Sequence, residues 1–300
     1  MKALGKTAHS GCTLHALGYL ALAGFLGAWA ASLVWRACGG SLGLPLDDGY
    51  IYLQYARGTA LGEPFAYQPG AEPTRGATSL LYPLLLAPAA RILGPDRLPW
   101  AAWGLGILML GLSAWAADRW AARRLSAGAG RATGLLTLLS GHYLWGATTG
   151  MDIVLFGLAL VAVVAAVPWY QDAPDPRSGL RRLAALATGL FLLGMVRPEG
   201  ILPAALVAIA VPLARRAPNG SRARAALLLA PLAASAIQIA ANLFATGELS
   251  PNTLAAKAVW GEQRPDVRAA LFARLPWVFG QITRALLSDF RSPAYGLGSG

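Results

Sequence analysis

Long uncharged apolar runs, separated by short arginine-rich loops, leave this chain very few ways to fold. Leu14 to Trp35 is 22 residues without a formal charge, enough for the ~20 residues that cross a bilayer as a helix. Further runs read as spans at Trp100–Ala117, Ala132–Thr148, Met151–Trp169, Leu183–Val196, Ile201–Ala214 and Ala225–Ala245. Only 13% of the 300 residues are charged, about half the ~25% of an average soluble domain. A soluble enzyme, a disordered tail and an ordinary nucleic-acid-binding domain are thereby excluded. The expectation is an all-α integral membrane protein: a polytopic helical bundle of about 7–9 spans with extracytoplasmic juxtamembrane helices.

The net charge of +11 reads as a topology signal and not as a nucleic-acid footprint. Arg119/Arg123/Arg124/Arg131, Arg177/Arg181/Arg182 and Arg215/Arg216/Arg222/Arg224 supply 11 of the 25 cations, all in loops between apolar runs. The positive-inside rule places those loops in the cytoplasm, together with residues 1–13, which carry Lys2 and Lys6. A cleaved signal peptide is the competing reading of the first run, with Ala28-Trp29-Ala30 as its cleavage site. The alternate loops then lie outside: 37–77, Gly150-Met151-Asp152, Arg197–Gly200 and Glu248–Lys257. That parity holds only if Thr78–Gly94, with Pro83, Pro88 and Arg91, does not cross; it reads as re-entrant or interfacial on the outer side. Cys12 and Cys38 flank the first run, too far apart along a helix to bridge.

Beyond residue 246 the chain becomes more polar. Residues 247–292 read as an extracytoplasmic loop carrying two short amphipathic helices on the membrane surface. Residues 293–300 read as the start of a further span in a chain truncated there. Residues 14–246 form the transmembrane domain, with 37–77 as its outer catalytic loop.

Chemistry concentrates in the outer loops. Asp47 and Asp48 are adjacent carboxylates that repel and can act as a general base or hold a divalent cation; Asp-Asp-Gly is equally ordinary turn chemistry. Asp152 opens an apolar helix, where the helix dipole alone would account for it. Arg197 and Glu199 sit between two apolar runs, either lining a path or forming a plain turn. Asn252 and Lys257 lie on the inferred outer face, where a lysine suits a phosphate or a lipid headgroup.

Taken in order, Asp47-Asp48-Gly-Tyr-Ile-Tyr-Leu-Gln-Tyr-Ala-Arg57, Tyr67-Gln-Pro-Gly-Ala-Glu72, Gly76-Ala-Thr-Ser79, Gly150-Met-Asp152, Arg197-Pro-Glu-Gly200 and Pro251-Asn-Thr-Leu-Ala-Ala-Lys257 resemble the polytopic C-type glycosyltransferases (GT-C superfamily). The resemblance is greatest to bacterial arabinofuranosyltransferase-like and mannosyltransferase-like proteins. It implies transfer of a sugar from a polyprenyl-phosphate donor to a cell-envelope glycan or lipid acceptor on the outer face of the bacterial cytoplasmic membrane. By that resemblance Asp47 deprotonates the acceptor hydroxyl and Asp48 assists it or binds a cation. Arg57, Arg197 and Lys257 meet the donor phosphate, Glu199 orients Arg197, and Asp152 and Asn252 complete the substrate site. The chain departs from the family pattern at Gln54, Gln68, Arg75, Ala77 and Asp152. Other classes the sequence admits are a transporter or flippase of lipid-linked intermediates and a non-catalytic fragment.

Overall fold

A computed structural model describes residues 4–213 and 220–247. Among these residues no strand forms; a single isolated bridge pairs Ala66 with Pro73. The helices in chain order are α1 (Leu4–Ala37), α2 (Asp47–Ala60), α3 (Leu81–Leu93), α4 (Leu98–Arg124), α5 (Ala127–Leu139), α6 (Gly141–Thr148), α7 (Ile153–Gln171), α8 (Pro176–Val196), α9 (Ile201–Leu213) and α10 (Gly220–Thr246). Five segments are long and apolar enough to cross a membrane: Leu14–Ala37, Pro95–Arg124, Ile153–Gln171, Pro176–Val196 and Ala225–Thr246. Their outward faces carry large bare side chains, such as Phe25, Leu232 and Phe244 at 62% exposure or more, a surface compatible with an all-α membrane protein.

Small residues let the helices close on one another. Gly111 of α4 takes Leu20 and Ala23 of α1, Gly27 of α1 takes Ile107, and the Trp35 and Trp100 rings meet at 5.7 Å. Those pairs set α1 and α4 antiparallel. Gly106 of α4 lies against the Ala147 backbone, and Gly134 of α5 against Ala114 and Tyr19; close approach through glycine is how apolar helices gain van der Waals contact without a hydrophobic drive. Two further cores fill the ends: Tyr52, Leu53, Tyr82, Leu86, Leu98 and Trp103 join α2, α3 and α4, while Val163, Leu186, Leu190, Ala204 and Leu227 join α7 to α10.

The expected span at Ala132–Thr148 is broken. The chain leaves the helix at Ser140 (φ −61°, ψ 117°), so α5 has 13 residues and α6 has 8. The expected Ile201–Ala214 span is likewise a helix of 13 residues. Two other boundaries shift outward: α4 runs on through the arginines to Arg124, and α8 begins at Pro176, where an Asp175–Ser178 capping box satisfies its first N–H groups.

The segment at Thr78–Gly94 folds as the short α3, alongside and in the same sense as α2. Tyr82 meets Tyr52 edge-on at 5.4 Å, and the Arg91 guanidinium donates to the Ala60 carbonyl at 3.1 Å. Gly94, at φ +73°, then turns the chain into the start of α4, beside the end of α1. Both ends of α3 therefore stay at one end of the bundle. Cys38, just past α1, is an exposed free thiol.

Candidate functional site

The 37–77 segment is built around α2. Asp47 and Asp48 form its first turn, both exposed, and the Asp48 N–H donates to Asp47 Oδ1 at 2.9 Å. The acidic motif is thus a helix start and not a turn. Gly49 is buried within the helix, where a Cβ would overlap the Thr149 carbonyl oxygen. Leu44, just upstream, covers Gly150, whose φ of +71° reverses the chain between α6 and Asp152. Close approach, and not turn geometry, is what requires a glycine at position 49. We expect Gly49→Ala to destabilise the protein by about 1–3 kcal/mol, the range for overpacking a tight contact, measurable as a lower unfolding midpoint in detergent.

The same helix gathers the next two motifs. The Tyr55 hydroxyl bonds Thr74 Oγ1 at 2.8 Å and accepts the Gly76 N–H at 2.7 Å. The Tyr67 ring meets the Tyr55 ring at 6.0 Å, and Thr74 N–H closes the loop onto the Phe65 carbonyl.

Asp152 sits at the N-cap of α7, ahead of the span, and is completely buried. Its carboxylate makes no cap bond, and neither oxygen has a hydrogen-bond partner. The dipole reading of this residue therefore explains its position but not its side chain. Arg197 approaches instead: its Nε is 3.5 Å from Asp152 Oδ2 and 4.0 Å from Glu199 Oε2, with 27% of the side chain exposed against 63% for Glu199. The buried Tyr52 hydroxyl is near enough to feel the carboxylate, short of strict hydrogen-bond geometry.

Burial pushes the Asp152 carboxyl up to about 6, opposed by Arg197 and Tyr52. The folded pKa exceeds the ordinary 3.8, so the folded chain binds this proton more tightly than the unfolded one. The group's contribution to stability is greatest below pH 3.8 and declines as pH rises to about 6, by about 3 kcal/mol in total. Asp152→Asn removes that decline. Its stability relative to wild type is expected to rise between about pH 4 and pH 6 and to level off above, in thermal unfolding measured across that range.

Arg57 is not part of this group. It lies about 140° around α2 from Tyr52 and donates to Gln54 Oε1 at 3.2 Å. Asn252 and Lys257 lie outside the described residues. Among the described residues no group of three or more His, Cys, Asp or Glu could hold a metal ion, so a cation at Asp47 and Asp48 would rely on two carboxylates and water.

Sequence reasoning missed the role of Tyr52 and the contacts of Arg75. Tyr52 stands four residues after Asp48, hence on the same helical stripe, a spacing that could have marked it. Arg75 is 2% exposed and donates to the Gln238 carbonyl at 2.7 Å, to Gln238 Oε1 and to Asn242 Oδ1. Gln238 Nε2 in turn donates to the Gly194 carbonyl at 3.1 Å and the Met195 carbonyl at 3.4 Å. Nothing local in the sequence signals a contact across 163 residues.

No protein-family model, no curated protein and no solved structure matches this chain.

Proposed function

We propose that the chain is a membrane glycosyltransferase of the C type. It would transfer an arabinofuranose- or mannose-like sugar from a polyprenyl-phosphate donor to an envelope glycan or lipid acceptor. The observation that carries this reading is a convergence. Residues 47–57, 67–76, 150–152 and 197–199, far apart in sequence, meet at one end of the bundle around α2. The arginines of α4 and α8 stand at the opposite end, at Arg123, Arg124 and Arg182. By the positive-inside rule that end is cytoplasmic and the acidic end faces outward, in a bacterial cytoplasmic membrane. On this reading the broken α5–α6 pair and the short α9 would each add a pass to the five helices long enough to span.

In this mechanism Asp47 takes the proton of an acceptor hydroxyl. The hydroxyl oxygen attacks the anomeric carbon, the bond from that carbon to the phosphate oxygen breaks, and polyprenyl phosphate leaves with the electron pair. Arg197, half-buried and aimed by Asp152 and Glu199, meets the charge that grows on the leaving phosphate. Asp48 supports Asp47 one turn from Tyr52. By the family resemblance Lys257 and Asn252 belong to the donor site as well.

The test is turnover by the purified chain in nanodiscs, supplied with polyprenyl-phosphate arabinose or mannose and short glycan acceptors. Transfer of either sugar is expected. Absence of transfer from both donors, in a monodisperse and cooperatively unfolding sample, would overturn the reading.

A further inference from the structure

At the arginine-bearing end a cavity of about 600 Å³ opens between α4 and α7. The two helices run in the same sense there, so their C-terminal turns form its mouth. Along α7 it extends from Ala162 to Asp172, about 15 Å at 1.5 Å per residue. Its deeper wall is apolar, with Ala116, Ala162, Ala165 and Pro168. Its mouth carries Arg119, Arg123, Arg124 and Arg182 against the single acid Asp172.

Trp115 and Arg119 line the cavity, and guanidinium nitrogens can only donate. Arg182 is already engaged: it donates to the Trp169 carbonyl at 2.6 Å and the Asp172 carbonyl at 3.2 Å, and stacks over the Trp169 ring at 5.0 Å. It shapes the wall and neutralises the carbonyl end of α7. Arg119, Arg123 and Arg124 form no ion pair with any acid among the described residues. Topology alone asks for positive charge at this end; it does not ask for an apolar-walled cavity whose mouth carries three arginines with no acid partner among the described residues.

We infer that this cavity is a binding site for the phosphodiester headgroup of an anionic phospholipid. The phosphate oxygens accept from Arg119, Arg123 and Arg124 at the mouth, and the glycerol and upper acyl chain lie along the alanine wall. Three surplus cations favour a headgroup without an ammonium of its own. The exposed edges of Trp120 and Trp169 mark the depth at which headgroups lie. This site is separate from the proposed transfer reaction, and its test does not depend on turnover.

The chain would be placed in phosphatidylcholine nanodiscs containing a small fraction of either phosphatidylglycerol or phosphatidylcholine with dibrominated acyl chains, which quench nearby tryptophans. Brominated phosphatidylglycerol is expected to quench with an apparent affinity about fivefold or more above brominated phosphatidylcholine, the factor that one interfacial arginine supplies. The preference should vanish in Arg119→Gln/Arg123→Gln, survive in Arg119→Lys/Arg123→Lys, and lose its quenched component in Trp115→Phe. Equal quenching by the two lipids, or an undiminished preference in the double glutamine variant, would overturn the site. Abolition of the preference by millimolar inorganic phosphate would assign a soluble phosphate ester instead and overturn the lipid.

Discussion

Asp47→Asn is expected to lower sugar transfer by about 10²–10⁴-fold, the usual contribution of a positioned general base, while leaving the protein folded. Asparagine keeps an oxygen able to accept the Asp48 N–H, the bond that Asp47 Oδ1 makes at the start of α2. The substitution therefore removes proton-accepting capacity without uncapping the helix. Asp48→Asn should be milder, because Asp48 assists but does not face the acceptor in the proposed mechanism. The informative rival is Asp152, whose pKa of about 6 lies nearer a working pH. Efficient base catalysis favours such a match. Yet Asp152 is completely buried behind Tyr52 and Arg197, whereas Asp47 is open to an incoming hydroxyl. Exposure therefore favours Asp47 in the proposed mechanism. An Asp47→Asn enzyme within about tenfold of wild type would remove it as the base, since that falls below the range such groups supply.

The apolar runs made the helical character of the chain legible, because charge-free segments of this length have few alternatives to a helix. They also placed the break at Arg197–Gly200 between α8 and α9. What they could not show was where a run of adequate hydropathy is broken. Ser140-Gly141 interrupts such a run by ending α5 and capping nothing across the break, and hydropathy averages over it. Gly49 misled for a different reason. Asp-Asp-Gly favours turns by local propensity, but contact with the Thr149 carbonyl rewards a helix there, and tertiary contact overrides propensity. The acids and bases at 47, 48, 152, 197 and 199 were visible as residue types, and their mutual placement was not. Charged side chains announce their own cost; their partners across the bundle are set by packing.

The same distinction governs the second large effect, at Arg75. A guanidinium buried to 2% exposure is held by neutral acceptors on α10, and among the described residues no carboxylate pairs with it. Burial lowers its pKa to about 10, which keeps it charged at neutral pH. Arg75→Met takes the charged donor from the side-chain amides of Gln238 and Asn242, at about 1–3 kcal/mol for each buried acceptor. The Gln238 backbone carbonyl loses less, since it lies within α10 and is available to the helix ladder. A net loss of about 3 kcal/mol is expected, seen as a lower midpoint in detergent unfolding. A buried polar group is costly mainly when its partner is removed alone. Gln238 also holds the carbonyls of Gly194 and Met195, two residues before Arg197. Losing Arg75 frees that amide to turn, so the single variant should loosen the Arg197–Asp152 pair as well. The Asp152 carboxyl would then titrate above its present value of about 6, since Arg197 is the group that holds it down. Infrared difference spectra of the protonated carboxyl band, referenced to Asp152→Asn, measure that shift. An unmoved titration with an unmoved midpoint would make Arg75 a bystander and leave α10 to hold the 61–80 loop by apolar contacts such as Phe65 against Phe244.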